Sequence, residues 1–233
     1  PFDEQQHTAP LKYDPRGVLV LCFDFNVEPG VCAVIQEQTL PGQYEKRSVK
    51  NARGENVTAA RMDLPITGTG VIAEVHIPRN SNTPAVCRKV LEMFGEHRGH
   101  VRCYGDATGG SRGTAKVEGS DWELIEKELR PTFKERLSFR VKEANPAERA
   151  RVNAVNSRLR SKAGDVKLMV DGSKAPKTVV EGKRVKLSVG RGGGRGMKET
   201  TTLTHISDAI GYYIEYEFPV TGQGLQRLVL GGV

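Results

Sequence analysis

The sequence predicts a mixed α/β layer fold whose sheet begins antiparallel. Three observations carry that expectation. Val18-Leu-Val-Leu-Cys-Phe-Asp24 is a nearly pure apolar run closed by a carboxylate, as suits a central strand covered on both faces. Pro29-Gly30 then punctuates the chain, and Val31 to Gln36 reads as a strand pairing back in a hairpin. Helical spacing enters only after several strands, which excludes the strict strand–helix alternation of a dinucleotide-binding fold.

The elements follow in order. Residues 1–16 hold three prolines and little periodicity and read as a linker. A third extended segment lies around Tyr44 to Val49, and Val71 to Ile77 is β-branched and alternating, so it is a strand. Thr83 to Glu96 places Val86, Val90, Leu91 and Phe94 at helical spacing, with Thr83 as N-cap and Pro84 at the first helical position. Val101 to Tyr104 is a short strand leading into Gly105-Asp106. Ser120 and Glu123 match a capping box at the head of a helix running to Leu129. Phe139 to Val141 is a short strand, and Pro146 to Leu159 a helix opened by Asn145 as N-cap. Strand-and-loop material follows to about Thr200, including the tract Gly190-Arg-Gly-Gly-Gly-Arg-Gly196. Leu203 to Glu217 is the last helix, and residues 219–233 form a Gly-rich tail expected to fray.

With 233 residues the chain is long enough to bury a core as one large domain, or as a main domain with a subdomain. At 37% hydrophobic and 27% charged it has a globular composition. No apolar run approaches the ~20 residues of a membrane helix, and the polar start has no signal-peptide core. The first residue is not Met, which is expected of a piece of a longer protein. Cys22, Cys32, Cys87 and Cys103 lack CxxC spacing and sit in apolar stretches, so they read as buried free thiols. The net charge of +7 is unevenly distributed: residues 130–200 carry 19 Lys and Arg against 7 Asp and Glu. A cationic surplus of 12 in one segment is expected to attract a polyanion, nucleic acid above all.

Several motifs fail in context. Gly68-Thr-Gly70-Val-Ile-Ala73 fits a dinucleotide fingerprint as a string, but that motif must follow a strand and open a helix, and here it runs into a strand. No GxxxxGK[ST] occurs, and the five histidines do not pair at zinc spacings.

Three carboxylates remain. Asp24 closes the most apolar strand, Asp106 follows the Val101–Tyr104 strand, and Asp208 lies near the start of the last helix. In that helix Ile206, Ile210, Tyr213 and Ile214 form an apolar stripe, while His205, Asp208 and Tyr212 share another face. Carboxylates from two strand ends and a helix start can converge at a sheet edge. There they repel one another unless hard cations such as Mg²⁺ or Mn²⁺ stand between them. Singly, each has a structural reading: a helix-dipole contact for Asp208, a turn for Asp106, a satisfied strand end for Asp24.

The residues that carry this pattern resemble a known family. Phe23-Asp24-Phe25-Asn26, Tyr104-Gly105-Asp106-Ala107-Thr108-Gly109, the Asn145–Asn156 segment and Leu203-Thr204-His205-Ile206-Ser207-Asp208-Ala209-Ile210-Gly211-Tyr212 together resemble the C-terminal nuclease domain of tailed-phage large terminase subunits. The match runs in order from about Gly17 to Phe218. The resemblance implies an RNase H-like fold, a central mixed β-sheet flanked by α-helices, over residues 17–218, with a basic loop region at 165–200. It implies a metal-dependent endonuclease that cuts concatemeric double-stranded viral DNA during genome packaging, by in-line attack of water and without a covalent intermediate. Asp24, Asp106 and Asp208 are then the catalytic ligands of two divalent ions, Mg²⁺ or Mn²⁺, with Asp24 bridging both. His205 contacts the phosphate or a ligand, or serves only to start the helix; Glu74 is an optional fourth carboxylate and Asn26 a supporting residue. Arg149, Arg151, Arg158 and Lys162, with Arg191, Arg195 and Lys198 of the glycine-arginine loop, are the expected DNA-backbone contacts. The implied partners are double-stranded DNA and, in the full-length protein, a preceding ATPase motor domain, portal protein and small terminase subunit, in the cytoplasm of the infected bacterial host. Two other functions fit the same residues: a junction resolvase or transposase-type nuclease, and a non-catalytic DNA-binding module.

Overall fold

The computed structural model describes residues 2–25, 28–110, 120–184 and 204–220. Asn26, Arg191, Arg195, Lys198 and the glycine-arginine tract lie outside them. Six strands form one sheet in the order β5-β4-β1-β2-β3-β6. β1 (Leu19–Asp24), β2 (Gly30–Lys50) and β3 (Asn56–Ile77) are successive antiparallel neighbours. β4 (Val101–Gly105) lies parallel to β1, and β5 (Leu137–Phe139) parallel to β4. β6 (Leu168–Val170) adds to β3 at the other edge, also parallel. Three antiparallel strands continued by two parallel ones beside the first make an RNase H-like sheet, mixed and flanked by helices.

The alternation of β1 explains the layers. Leu19, Leu21 and Phe23 enter one core with Val86, Cys87, Val90, Ile125, Leu129 and Phe133. These come from helices α2 (Thr83–Phe94) and α3 (Asp121–Phe133). Val20 and Cys22 enter the other core with Ala154, Val179, Ile206, Ala209, Ile210, Tyr213 and Ile214. They meet there α4 (Glu148–Leu159), α5 (Pro176–Arg184) and α6 (His205–Glu217). Successive side chains on a strand alternate faces, so Asp24 is directed to the α6 face. Full burial of side chains such as Leu19, Leu21 and Ile35 contributes about 1.5–3 kcal/mol each. All four cysteines are free and buried, as their apolar surroundings predict. No helix of the described residues is long and apolar enough to cross a membrane.

Several local expectations need correction. Residues 2–16, expected as a linker, pack against the fold. Asp3 caps the short helix α1 (Glu4–His7), Thr8 bridges to Val170, and His7 and Leu11 are buried. The signal is weak because the packing contacts are long-range: the imidazole Nε2 of His7 meets the Leu159 carbonyl at 2.9 Å. Asn82, not Thr83, caps α2, its Oδ1 accepting the Ala85 N–H at 2.8 Å. The capping box at Ser120 and Glu123 is present, and α3 continues past Leu129 to Phe133 through Pro131. The short strand after it spans Leu137–Phe139, two residues earlier than expected. The stretch expected to be strand and loop contains helix α5. Its N-terminal N–H groups are satisfied by Glu74 of β3, a partner that local sequence does not reveal. The segments expected around Tyr44 and Val71 belong to β2 and β3, which continue outward past the end of β1 as a two-stranded ribbon turning at Asn51–Glu55. Gly68 and Gly70 lie inside β3, so they open no helix.

Candidate active site

The site is built from the C-terminal ends of two adjacent parallel strands. The β1–β4 register pairs Cys22 with Tyr104 and Phe23 with Gly105. One residue further along each chain come Asp24, the last residue of β1, and Asp106, the first residue after β4. Gly105 is required there, because a Cβ would lie 2.5 Å from the Phe23 carbonyl oxygen. The chain turns immediately after Asp106. Its Oδ1 accepts the backbone N–H and the hydroxyl of Thr108, both at 2.6 Å, and the Asn145 amide, also at 2.6 Å. Asn145 accepts the Ala107 N–H in return at 2.8 Å, and the Trp122 indole donates to the Asp106 carbonyl at 3.0 Å.

Helix α6 brings the third carboxylate. Its apolar stripe (Ile206, Ile210, Tyr213, Ile214) is buried against the sheet, which leaves His205 and Asp208 half-buried beside it. Thr204 makes no side-chain cap. The helix N-terminus is instead satisfied from α5, where the Glu181 carboxylate accepts the Ser207 N–H at 2.9 Å and the Ile206 N–H at 3.4 Å. Burial pushes the Glu181 carboxyl up, against these hydrogen bonds.

Each carboxylate has a compensating partner. The His205 Nδ1 lies 3.1 Å from Asp24 Oδ2. The bond to Asp24 raises the imidazole pKa; burial opposes it, and the charges of Asp24, Glu181 and Asp208 add to it. Arg151 of α4 stands 3.5 Å from Asp208 Oδ1 and stacks on the Tyr212 ring, 4.3 Å to its centroid. Tyr212 senses the whole group. Its phenol is pushed well above the usual tyrosine range by burial first, Arg151 opposes, and Asp106, Asp24 and Asp208 all add. Three carboxylates thus converge electrostatically on one buried ring.

The raised His205 pKa has a pH consequence. The pair stabilises the folded state fully below the unfolded imidazole value of about 6.5, and the contribution is lost as pH rises through the higher folded value. An NMR titration is expected to find His205 titrating above its ordinary value, and the Asp24→Asn change to lower it. An unchanged midpoint would contradict the pairing.

Two other candidates are placed elsewhere. The β3 residue level with Asp24 is His76, through Val31. Glu74 lies two positions back, and its carboxylate caps α5, accepting the N–H groups of Lys177 and Thr178 at 2.7 and 2.8 Å and the Thr178 hydroxyl at 2.8 Å. Glu74 is therefore not a fourth carboxylate of the site. Arg158 is buried: it donates to Glu37 at 3.0 Å and Thr69 at 2.7 Å, and its guanidinium lies 3.8 Å from the Phe218 ring centroid. Its charge is spent inside the fold, so it is not a surface contact for DNA. Arg158→Ala is expected to cost about 2 kcal/mol in stability, as for hydrogen bonds to charged groups, while leaving duplex affinity unchanged. A weakened affinity in the folded variant would overturn that assignment. Arg149 and Lys162 are exposed. Asn145 and Glu181 are additions to the site that the sequence does not announce. Asn-Pro resembles a helix cap, but α4 starts only at Glu148, which frees the amide for Asp106.

Oxygen donors with converging negative charge suit a hard divalent cation. Among the described residues, no three His, Cys, Asp or Glu side chains stand close enough together to hold one ion. The match is therefore in donor chemistry, with each carboxylate held by a protein partner.

No protein family and no curated protein matches the chain by sequence. Comparison with solved structures gives a match over 92% of the chain to the large terminase of a thermophilic bacteriophage, at a TM-score of 0.55 and 11% identity. The fold is shared with a phage large terminase. The same thermophilic-phage protein in complex with ATP-γ-S matches at a TM-score of 0.55 and 12% identity, and the chain spans 44% of it. The nuclease domain of the large terminase from bacteriophage SPP1, solved with bound Mn, matches more loosely, at a TM-score of 0.46 and 13% identity over 85% of this chain and 86% of that one. The chain thus spans less than half the length of the thermophilic-phage terminase whose fold it shares.

Proposed function

We propose that this chain is the nuclease domain of a viral packaging terminase, a metal-dependent endonuclease that cuts concatemeric double-stranded DNA. One observation carries the reading: Asp24 and Asp106 end adjacent parallel strands on the face that receives Asp208 from α6, within a fold shared with a large terminase. Asp24, Asp106 and Asp208 would hold two divalent cations, Mg²⁺ or Mn²⁺. Cations bound there supply the Lewis acidity that phosphodiester hydrolysis requires.

The chain's own residues prepare that site. Asn145 and Thr108 fix the Asp106 carboxylate, and His205 orients Asp24. Arg151 offsets the charge of Asp208. Arg149 and Lys162, with Arg191, Arg195 and Lys198, would hold the phosphate backbone without reading bases. In the full-length protein the domain would work with an ATPase motor, portal protein and small terminase subunit in the cytoplasm of the infected host.

Supercoiled plasmid incubated with the chain and Mn²⁺ tests the reading. Cleavage that is lost in Asp24→Ala and Asp106→Ala is expected. No cleavage, or cleavage indifferent to both changes, overturns it.

A further inference from the structure

Helix α4 links two places of opposite charge. Its first half presents Arg151 to Asp208. Its last residue leads through Arg160 into a tight turn, residues 161–165, that lies against the ribbon made by β2 and β3. The Ser161 N–H donates to the Asp165 carbonyl at 2.9 Å, and the Gly164 N–H to the Ser161 carbonyl at 2.9 Å. Gly164 has φ +84°, a conformation that favours glycine. Lys46 of β2 staples the turn to the ribbon, its Nζ donating to the Gly164 carbonyl at 2.8 Å.

Between turn and ribbon lies an open cavity of about 430 Å³ lined by Lys46, Thr58, Arg160, Ser161, Lys162, Ala163 and Gly164. Three of these residues are cations and none is acidic. The carboxylate of Asp165 is buried beneath the turn, where it accepts the Lys46 N–H at 3.3 Å and the Ser161 hydroxyl at 3.2 Å. Its charge offsets one cation and leaves a surplus of two. Arg160 and Lys162 are exposed, and among the described residues neither side chain has an acidic partner. A lysine has three donors, and Lys46 spends one on Gly164. Cations lining a concave polar wall match a phosphate group.

We propose that this notch is a second DNA-backbone site, holding a phosphate of the same duplex that reaches the carboxylates, an inference that rests on the nuclease reading. The geometry sets the separation. The ribbon leaves the sheet at the end opposite Asp24, and Lys46 lies beyond Thr39, which pairs with Thr67. Arg158 bonds Glu37, six strand residues from Val31, the β2 residue level with Asp24, which is about 20 Å at about 3.3 Å per residue. The notch begins two residues past Arg158, so it lies on the order of 30 Å from Asp24, close to one turn of B-DNA. Both places adjoin α4, the carboxylates through Arg151 and Asp208 and the notch through the turn that follows Leu159, so a duplex lying along α4 would meet both.

The test uses the full 233-residue chain and a fluorescein-labelled duplex of about three helical turns, with Asp106→Asn in the background so that cutting does not interfere. Arg160→Ala with Lys162→Ala is expected to weaken binding about tenfold and to flatten the dependence of log affinity on log salt by roughly 1–2, the release of one or two phosphate contacts. Arg88→Ala with Lys127→Ala removes the same charge from the exposed surfaces of α2 and α3 and is expected to change affinity less than about twofold. Equal losses from both pairs would mean net charge alone, and would overturn the site. So would unchanged binding and salt slope in Arg160→Ala with Lys162→Ala. Plasmid cleavage by the unmodified Asp106 chain, measured in parallel, separates the outcomes: cleavage with an inert notch removes this inference only, whereas no cleavage removes the nuclease reading.

Discussion

Asp24→Asn is expected to abolish Mn²⁺-dependent cleavage while the fold persists. The substitution keeps the shape of the side chain and an acceptor for His205, but removes the charge that the cations need. Transition-state charge stabilisation by a metal is worth several kcal/mol, so the loss is on the order of a thousandfold in rate. Circular dichroism and a plasmid assay on the same preparation check it. A residual rate within about tenfold of the parent contradicts the assignment, because no described side chain replaces Asp24.

Gly105→Ala is expected to damage stability and activity together. The added methyl would lie 2.5 Å from the Phe23 carbonyl oxygen and 3.1 Å from the Trp122 ring, so β1 and β4 must separate at the position just before Asp24 and Asp106. Overpacking of this kind costs about 1–3 kcal/mol, a fall in Tm on the order of 2–12 °C for a domain of this size. Gly172→Ala is the control, since its Cβ would meet neighbours only at 3.8 Å. Calorimetry on the two variants measures the difference, and equal Tm values would show that β4 yields without cost.

Much of this geometry is legible in the sequence, and what is legible is local. The alternation of β1 fixes the face of Asp24, and the i, i+3, i+7 spacing on α6 sets His205, Asp208 and Tyr212 apart from the apolar stripe. The glycine before Asp106 marks a crowded strand end. What is not legible depends on residues far apart in the chain. Glu74 is expected as an optional site carboxylate and Glu181 carries no signal of its own, yet each satisfies the N-terminus of a helix that its own sequence leaves uncapped. Helix α5 is hidden for that reason, and because Gly182 interrupts its pattern. Arg158 reads like its basic neighbours. Its alignment with buried Ala154 four residues earlier places it inward, but only Glu37 and Thr69, on other strands, make that burial tolerable. Asn145 reads as a cap because residues before proline often precede helices, whereas its amide serves Asp106 across 39 positions.

The charge distribution falls into two parts adjoining α4. Asp24, Asp106 and Asp208 concentrate negative charge around Tyr212, and α4 runs from that group to the cations at its far end. A polyanion is repelled by the first and attracted by the second, so productive binding requires the carboxylates to be neutralised by cations. Duplex affinity is therefore expected to rise with added Mn²⁺ in the parent chain.

The most direct test of the central claim is anomalous scattering from crystals of the chain soaked in Mn²⁺. The account predicts manganese at coordination distance, about 2.0–2.6 Å, from the Asp24 carboxylate, with Asp106 and Asp208 completing the ligand set. Manganese bound only at other residues, with Asp24 still paired to His205, would contradict it.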